Sequence, residues 1–197
     1  MLKRWTCLTV VLLAAALVAA CASQKAPAEA AVKAAEQAFD AAKAEAMKYV
    51  PDQVKGVQSS LEAAKAALAK GDYQAALTAA QALPGQISDL QAAAAAKKAE
   101  LTQTWTTLSA GLPQVVQAIQ SRVDILAKAK KLPPGLDQAK FDSAKSGLAA
   151  MTDAWSAATA AAGSGDVADA VSKANAVKGK AVEVLTALGM PVPAGLQ

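Results

Sequence analysis

Val54-Lys55-Gly56-Val57-Gln58-Ser59-Ser60-Leu61-Glu62-Ala63-Ala64-Lys65-Ala66-Ala67-Leu68-Ala69-Lys70-Gly71-Asp72-Tyr73-Gln74-Ala75-Ala76-Leu77 is the stretch from which the fold is read. Val54, Val57, Leu61, Ala64 and Leu68 recur at steps of three and four, which gathers them on one stripe of an α-helix. Gly71 then supplies the left-handed residue past a helix C-terminus, and Asp72 the side-chain cap of the next helix. The stretch therefore predicts two antiparallel helices joined by a tight turn.

The same pattern extends in both directions. Upstream, Val32, Ala35, Phe39, Ala42, Ala46 and Tyr49 form a stripe over about 28–49, with Pro27 fitting the first helical position, where its missing N–H costs nothing. Pro51 ends that helix and starts the next. Downstream, a third helix carries Leu77, Ala80, Leu83, Ile87, Leu90, Ala94, Leu101, Trp105 and Leu108, and its phase crosses Pro84-Gly85 without a slip, predicting a kinked but continuous helix. Gly111-Leu112-Pro113 is read as its end and as the start of a fourth helix with Leu112, Val115, Val116, Ile119, Val123 and Leu126 inward. A rigid turn at Leu132-Pro133-Pro134-Gly135 precedes a fifth, with Phe141, Ala144, Leu148, Met151, Trp155, Ala158 and Ala162 on one face. Asp166 caps a sixth, running from Val167 to Leu188, and 190–197 is read as a flexible, proline-containing tail.

Gly71-Asp72-Tyr73-Gln74-Ala75-Ala76-Leu77 aligns with Gly165-Asp166-Val167-Ala168-Asp169-Ala170-Val171, and Pro51 aligns with Pro134 at a shorter offset. The expectation is an all-α, antiparallel bundle of about six helices within 27–189, built as two related three-helix units over 27–110 and 111–189. Each unit is thin, because Ala accounts for 54 of the 197 residues. Ala is the best helix former but buries little area, so the copies are expected to pack together.

The first 20 residues differ in kind. Lys3 and Arg4 precede an apolar run from Leu8 to Ala20, the order of a secretory signal peptide. That run reaches only about 20 Å as a helix, short of the roughly 30 Å of a hydrocarbon core. Val18-Ala19-Ala20-Cys21 resembles the lipobox of bacterial lipoproteins. The resemblance implies peptidase recognition through Val18, Ala19 and Ala20, cleavage before Cys21, and covalent lipid on Cys21, with 21–26 as a lipidated tether. Ala22-Ser23, with no Asp beside Cys21, implies by the same resemblance an outer-membrane, periplasm-facing location in a Gram-negative cell. The mature part, from Tyr49-Val50-Pro51 through Gly71-Asp72-Tyr73-Gln74-Ala75-Ala76, resembles Ala-rich helical bacterial lipoproteins of unknown function. Tetratricopeptide repeats share that turn, but their period and their Trp, Gly and Tyr spacing are missing.

Composition narrows the chemistry. Without the leader, 18 Lys and Arg stand against 16 Asp and Glu, a near-balance unlike the concentrated basic patch that nucleic acid requires. Cys21 is the sole Cys beyond the leader, so lipid on it leaves no thiol for a disulfide or a metal, and no cofactor besides that lipid is expected. The chain has no His, which removes the commonest general base and metal ligand. Asp166 with Asp169, and Asp137 with Asp142, read as helix caps and dipole partners rather than catalytic pairs. Lys97-Lys98 and Lys128, Lys130 and Lys131 read as solvated helix faces and helix-end cations. Trp105 and Trp155 read first as core anchors. An alternative is a groove for a small apolar ligand or lipid, lined by Trp105, Trp155, Phe39, Phe141 and Met151. The expected role is non-catalytic interaction or scaffolding, with the membrane and an envelope protein as partners. The sequence sets no oligomeric state.

Overall fold

The computed structural model describes residues 2–196, with side chains from Gln24 onward. The lipobox calls on Val18, Ala19, Ala20 and Cys21 therefore concern side chains outside the described residues. Five α-helices follow one another: α1 (Leu2–Tyr49), α2 (Pro51–Ala69), α3 (Tyr73–Lys128), α4 (Gln138–Gly163) and α5 (Val167–Ala187), then a 3-10 turn at Ala194–Leu196. Among the described residues every element is helical, and no helix is long and apolar enough to cross a membrane.

Five helices rather than six result from Gly111-Leu112-Pro113, which does not end a helix. α3 continues through it, as it does through Pro84-Gly85. A proline inside a helix loses one hydrogen bond and costs about 3 kcal/mol. Trp105 and Leu108 before the proline pack on the same core as Leu112 and Ile119, so one helical phase runs across it and its packing offsets that loss. Pro27 is likewise inside α1 and not at its first position. Pro51 does occupy the start of α2.

The chain divides into two compact units, residues 1–96 and 97–197. In the first, α1 packs on α2. α1 buries Ala28, Val32, Ala35, Phe39, Ala42, Ala46 and Tyr49, and α2 buries Val54, Val57, Leu61 and Ala64. The start of α3 adds Ala76, Ala80, Leu83, Ile87, Leu90 and Ala94 to this core. Lys65 of α2 donates to Glu36 of α1 at the partly exposed rim. In the second unit α4 packs on α5, and the end of α3 joins them around Ile119, Leu148, Met151, Val177 and Leu185. Among the described residues the buried set contains no charged side chain, and its one hydroxyl is that of Tyr49.

The turns use the chemistry read from the sequence. Gly71 (φ 77°) and Gly165 (φ 82°) are both left-handed. Their N–H groups donate to Leu68 and Ala162, while those of Asp72 and Asp166 reach back to Ala67 and Ala161. These paired bonds satisfy the last carbonyls of α2 and α4. Each Asp then accepts from a backbone N–H of the next helix, Asp72 from Ala75 and Asp166 from Asp169, at 3.1 Å in both cases.

Buried positions in the two units correspond at constant offsets. Ala76, Ala80, Leu83, Ile87, Leu90 and Ala94 match Ala170, Ala174, Val177, Ala181, Val184 and Leu188 at the offset of Gly71 to Gly165. Val54, Val57, Leu61 and Ala64 match Phe141, Ala144, Leu148 and Met151. Ala35, Ala42, Ala46 and Tyr49 match Leu112, Ile119, Val123 and Leu126. Pro51 and Pro134 are not equivalent, however. Pro134 lies in the connection before Asp137, whose carboxylate caps α4 by accepting from Lys140 N–H at 2.8 Å. α4 has 26 residues against 19 in α2, two helical turns more.

The segment after α5 is not a loose tail. Gly189 (φ 65°) closes α5 as Gly71 closes α2, and Met190, Val192 and Leu196 then pack on the second core, with Leu196 buried. Met190, Val192 and Leu196 together supply the burial that offsets the entropy of ordering this segment.

Candidate functional site

The second unit carries the most distinctive side chains. Trp105 of α3 and Trp155 of α4 stack with ring centroids 5.6 Å apart and planes 17° from parallel. Both rings are partly buried and packed against the core. An offset stack of this kind adds about 0.5–1.5 kcal/mol beyond the area it buries. Of the other residues of the expected groove, Phe141 and Met151 belong to the core against which the pair packs. Both are buried there, and Phe39 is buried in the first unit. Phe39 and Phe141 each lie under a lysine one turn on, Lys43 at 5.6 Å and Lys145 at 5.5 Å from the ring centroid.

The second unit also has an apolar cavity of about 220 Å³, which the sequence reading missed. Leu108, Leu112 and Val115 of α3 form one wall, and Pro193, Gly195 and Leu196 form the other. Reading 190–197 as a free tail hid it. The one signal available was Leu196, an apolar residue set behind Pro193 and Gly195. A second cavity, of about 560 Å³, is lined by Arg122, Pro133, Leu136 and Lys140 together with Thr186 to Gly189. Arg122 and Lys140 would suit an anion, but the last turn of α5 presents its negative dipole end there, which opposes one.

The charged side chains read as caps and surface pairs. Asp166 caps α5, and Asp169 accepts from Lys173. Asp142 accepts from Gln138 and Lys145 along α4, so none of these carboxylates faces another across a cleft. Lys97 donates to Glu100 at 2.8 Å. At the start of α2 the hydrogen bond from Lys55, and then its charge, holds the Asp52 carboxyl below its usual range and lifts the Lys55 ammonium above its own. Both groups are fully exposed, as expected of a first-turn pair dressing the positive end of a helix. Among the described residues no cluster of three or more His, Cys, Asp or Glu could hold a metal ion. Among the described residues, Met47 and Ile125 are the exposed large apolar side chains, set singly as on ordinary protein surfaces.

No family model, curated protein or solved structure matches this chain.

Proposed function

We propose that this chain is a lipid-anchored protein of the cell envelope with a non-catalytic interaction or scaffolding role. The observation that carries the reading is the order of Lys3-Arg4, the apolar run and Val18-Ala19-Ala20-Cys21 at its end. Two or three acyl chains on Cys21, at about 0.8 kcal/mol per buried CH₂, make stable attachment without a spanning helix. Ala28 is already fully buried, so the core starts within about 10 Å of Cys21 measured along a helix. The helical body thus sits at the membrane surface, on the periplasmic side of the outer membrane in a Gram-negative cell, and its protein partners lie in the membrane or its immediate periphery.

The two three-helix units are copies of one motif. Three sets of buried positions at constant offsets, with matching Gly-Asp turns, support common descent over convergent turn chemistry. A duplicated, closely similar pair of helical faces suits a scaffold better than a single deep site does.

Replacing Cys21 by Ser tests the anchor. The wild-type chain is expected to float with membranes and to incorporate labelled palmitate, and Cys21→Ser to do neither. Flotation and labelling of the variant would overturn the reading. In-cell crosslinking of the same pair then separates partners that need the anchor from those bound by the helices themselves.

The cavity beside Leu108, Leu112 and Leu196 favours a second reading, a binding module for a small apolar molecule. An apolar cavity of about 150 Å³ is enough to hold a benzene-sized guest. Native mass spectrometry of protein purified in mild detergent distinguishes the two: a reproducible bound lipid favours the module, and an empty bundle favours the scaffold.

A further inference from the structure

From Ala95 to Gly111, α3 contains no buried residue, although buried positions recur every three or four residues up to Ala94 and resume at Leu112. Leu101, Trp105 and Leu108, the large apolar side chains of this span, are only half-covered. The division between the two compact units, at Ala96 and Lys97, falls inside it.

The residues of the span also form a helix poorly. Thr102, Thr104, Thr106 and Thr107 are β-branched and rank well below Ala in helix propensity. Their hydroxyls donate back along the helix to the carbonyls of Lys98, Glu100, Thr102 and Gln103, at 2.7, 3.0, 2.9 and 3.2 Å. Such back-bonding slightly weakens and bends a helix. Gly111 adds backbone freedom, and Pro113 has no N–H to offer the Ser109 carbonyl. At the matching place in the second unit the helix stops: the counterpart of Ala95 is Gly189, left-handed and closing α5. Ala95 cannot take that conformation cheaply, so the helix runs on past its core. Most helical stability in proteins comes from tertiary packing, and over this span that packing is limited to the partial cover of Leu101, Trp105 and Leu108.

We infer that Ala95–Gly111 is a joint in α3 that opens locally while the cores on either side stay folded. The two units then behave as separately mobile bodies on one chain, and the stacked pair of Trp105 and Trp155 is the latch in its C-terminal half.

A glutamate-specific protease tests this on the full-length protein. All six glutamates, Glu29, Glu36, Glu45, Glu62, Glu100 and Glu183, lie in helices, so each cut requires an opening. Five of them are within one turn of a buried residue, and Glu100 is not. Cleavage after Glu100 is expected to be at least tenfold faster than after any other. Converting the four threonines to alanine together should slow that cut at least tenfold and leave the other five unchanged. Ala95→Gly and Trp155→Ala should each speed it severalfold. Amide hydrogen exchange, which needs no cleavage, should be faster over 97–108 than over 80–94 or 112–126. A first cut at another glutamate, equal rates at all six, or no effect of the threonine substitutions would overturn the inference.

Discussion

Leu83→Asp is expected to unfold the first unit. Leu83 is fully buried on the inward stripe of α3, and among the described residues no charged side chain is buried, so the carboxylate would find no cation to pair with. Removing the leucine alone costs about 2–5 kcal/mol, and leaving a charge unpaired in an apolar interior adds several more. A domain of this size has only about 5–15 kcal/mol in hand. Circular dichroism should therefore lose a large share of the helical signal, whereas Leu83→Ala should keep the fold with a lowered melting temperature. Trp105 and Trp155 are the only tryptophans after residue 20 and both belong to the second unit, so fluorescence of a chain without residues 1–20 reports on that unit alone. Its emission should be unchanged in Leu83→Asp. Full retention of helix in that variant would show that Leu83 is not a core residue, and loss of the tryptophan signal would show that both units unfold as one.

Gly147→Leu should destabilise the second unit by several kcal/mol. A Cβ placed on Gly147 would lie 2.6 Å from Val184 Cγ2 and 3.6 Å from Lys180 Cδ. Val184 is 3% exposed and β-branched, with one strongly preferred rotamer in a helix, so it cannot swing aside. The absence of a side chain at Gly147 is what allows α4 and α5 to approach closely there. Gly147→Ala gains about 1 kcal/mol of helix propensity but loses about 1–3 kcal/mol to overpacking, a net loss of roughly 1 kcal/mol. Gly56 is the control, since nothing lies within 4 Å of a Cβ built there. Gly56→Ala, mid-helix and exposed, should stabilise by about 0.5–1 kcal/mol. Urea melts of the three variants measure these differences, and Val184→Ala should recover part of the loss caused by Gly147→Ala. If Gly147→Ala stabilises as much as Gly56→Ala, the close approach of α4 and α5 is wrong.

Much of the core was legible because it follows from a period. Val54, Val57, Leu61 and Ala64, or Ala170, Val171, Ala174 and Val177, are buried where steps of three and four place them. The candidate site was less legible. Trp105 and Trp155 could be assigned to apolar stripes, but their stacking depends on where α3 and α4 cross, which no local pattern encodes. The cavity under Leu196 depends on how a short segment broken by Pro191 and Pro193 folds back on α3, which no local pattern encodes.

The prolines divide in the same way. At Pro51 a helix ends and another begins, as proline chemistry alone predicts, because Tyr49 and Val54 can both be buried on either side of a sharp turn. At Pro113 the same chemistry predicts a break that does not occur. There Trp105 and Leu108 before the proline share one stripe with Leu112 and Ile119, and a break would take the first two out of phase with the others.

Helix faces, the Gly71 and Gly165 turns and their Asp caps were determined by the sequence by itself, because each depends on a few neighbouring residues and a backbone geometry that only those residues favour. Tertiary structure alone decided that α3 continues through Gly111-Leu112-Pro113, that Gly147 sets the contact of α4 with α5, and that Leu196 is held down. In those places a local preference of about 1–3 kcal/mol competes with burial of comparable size contributed by residues far away in the chain.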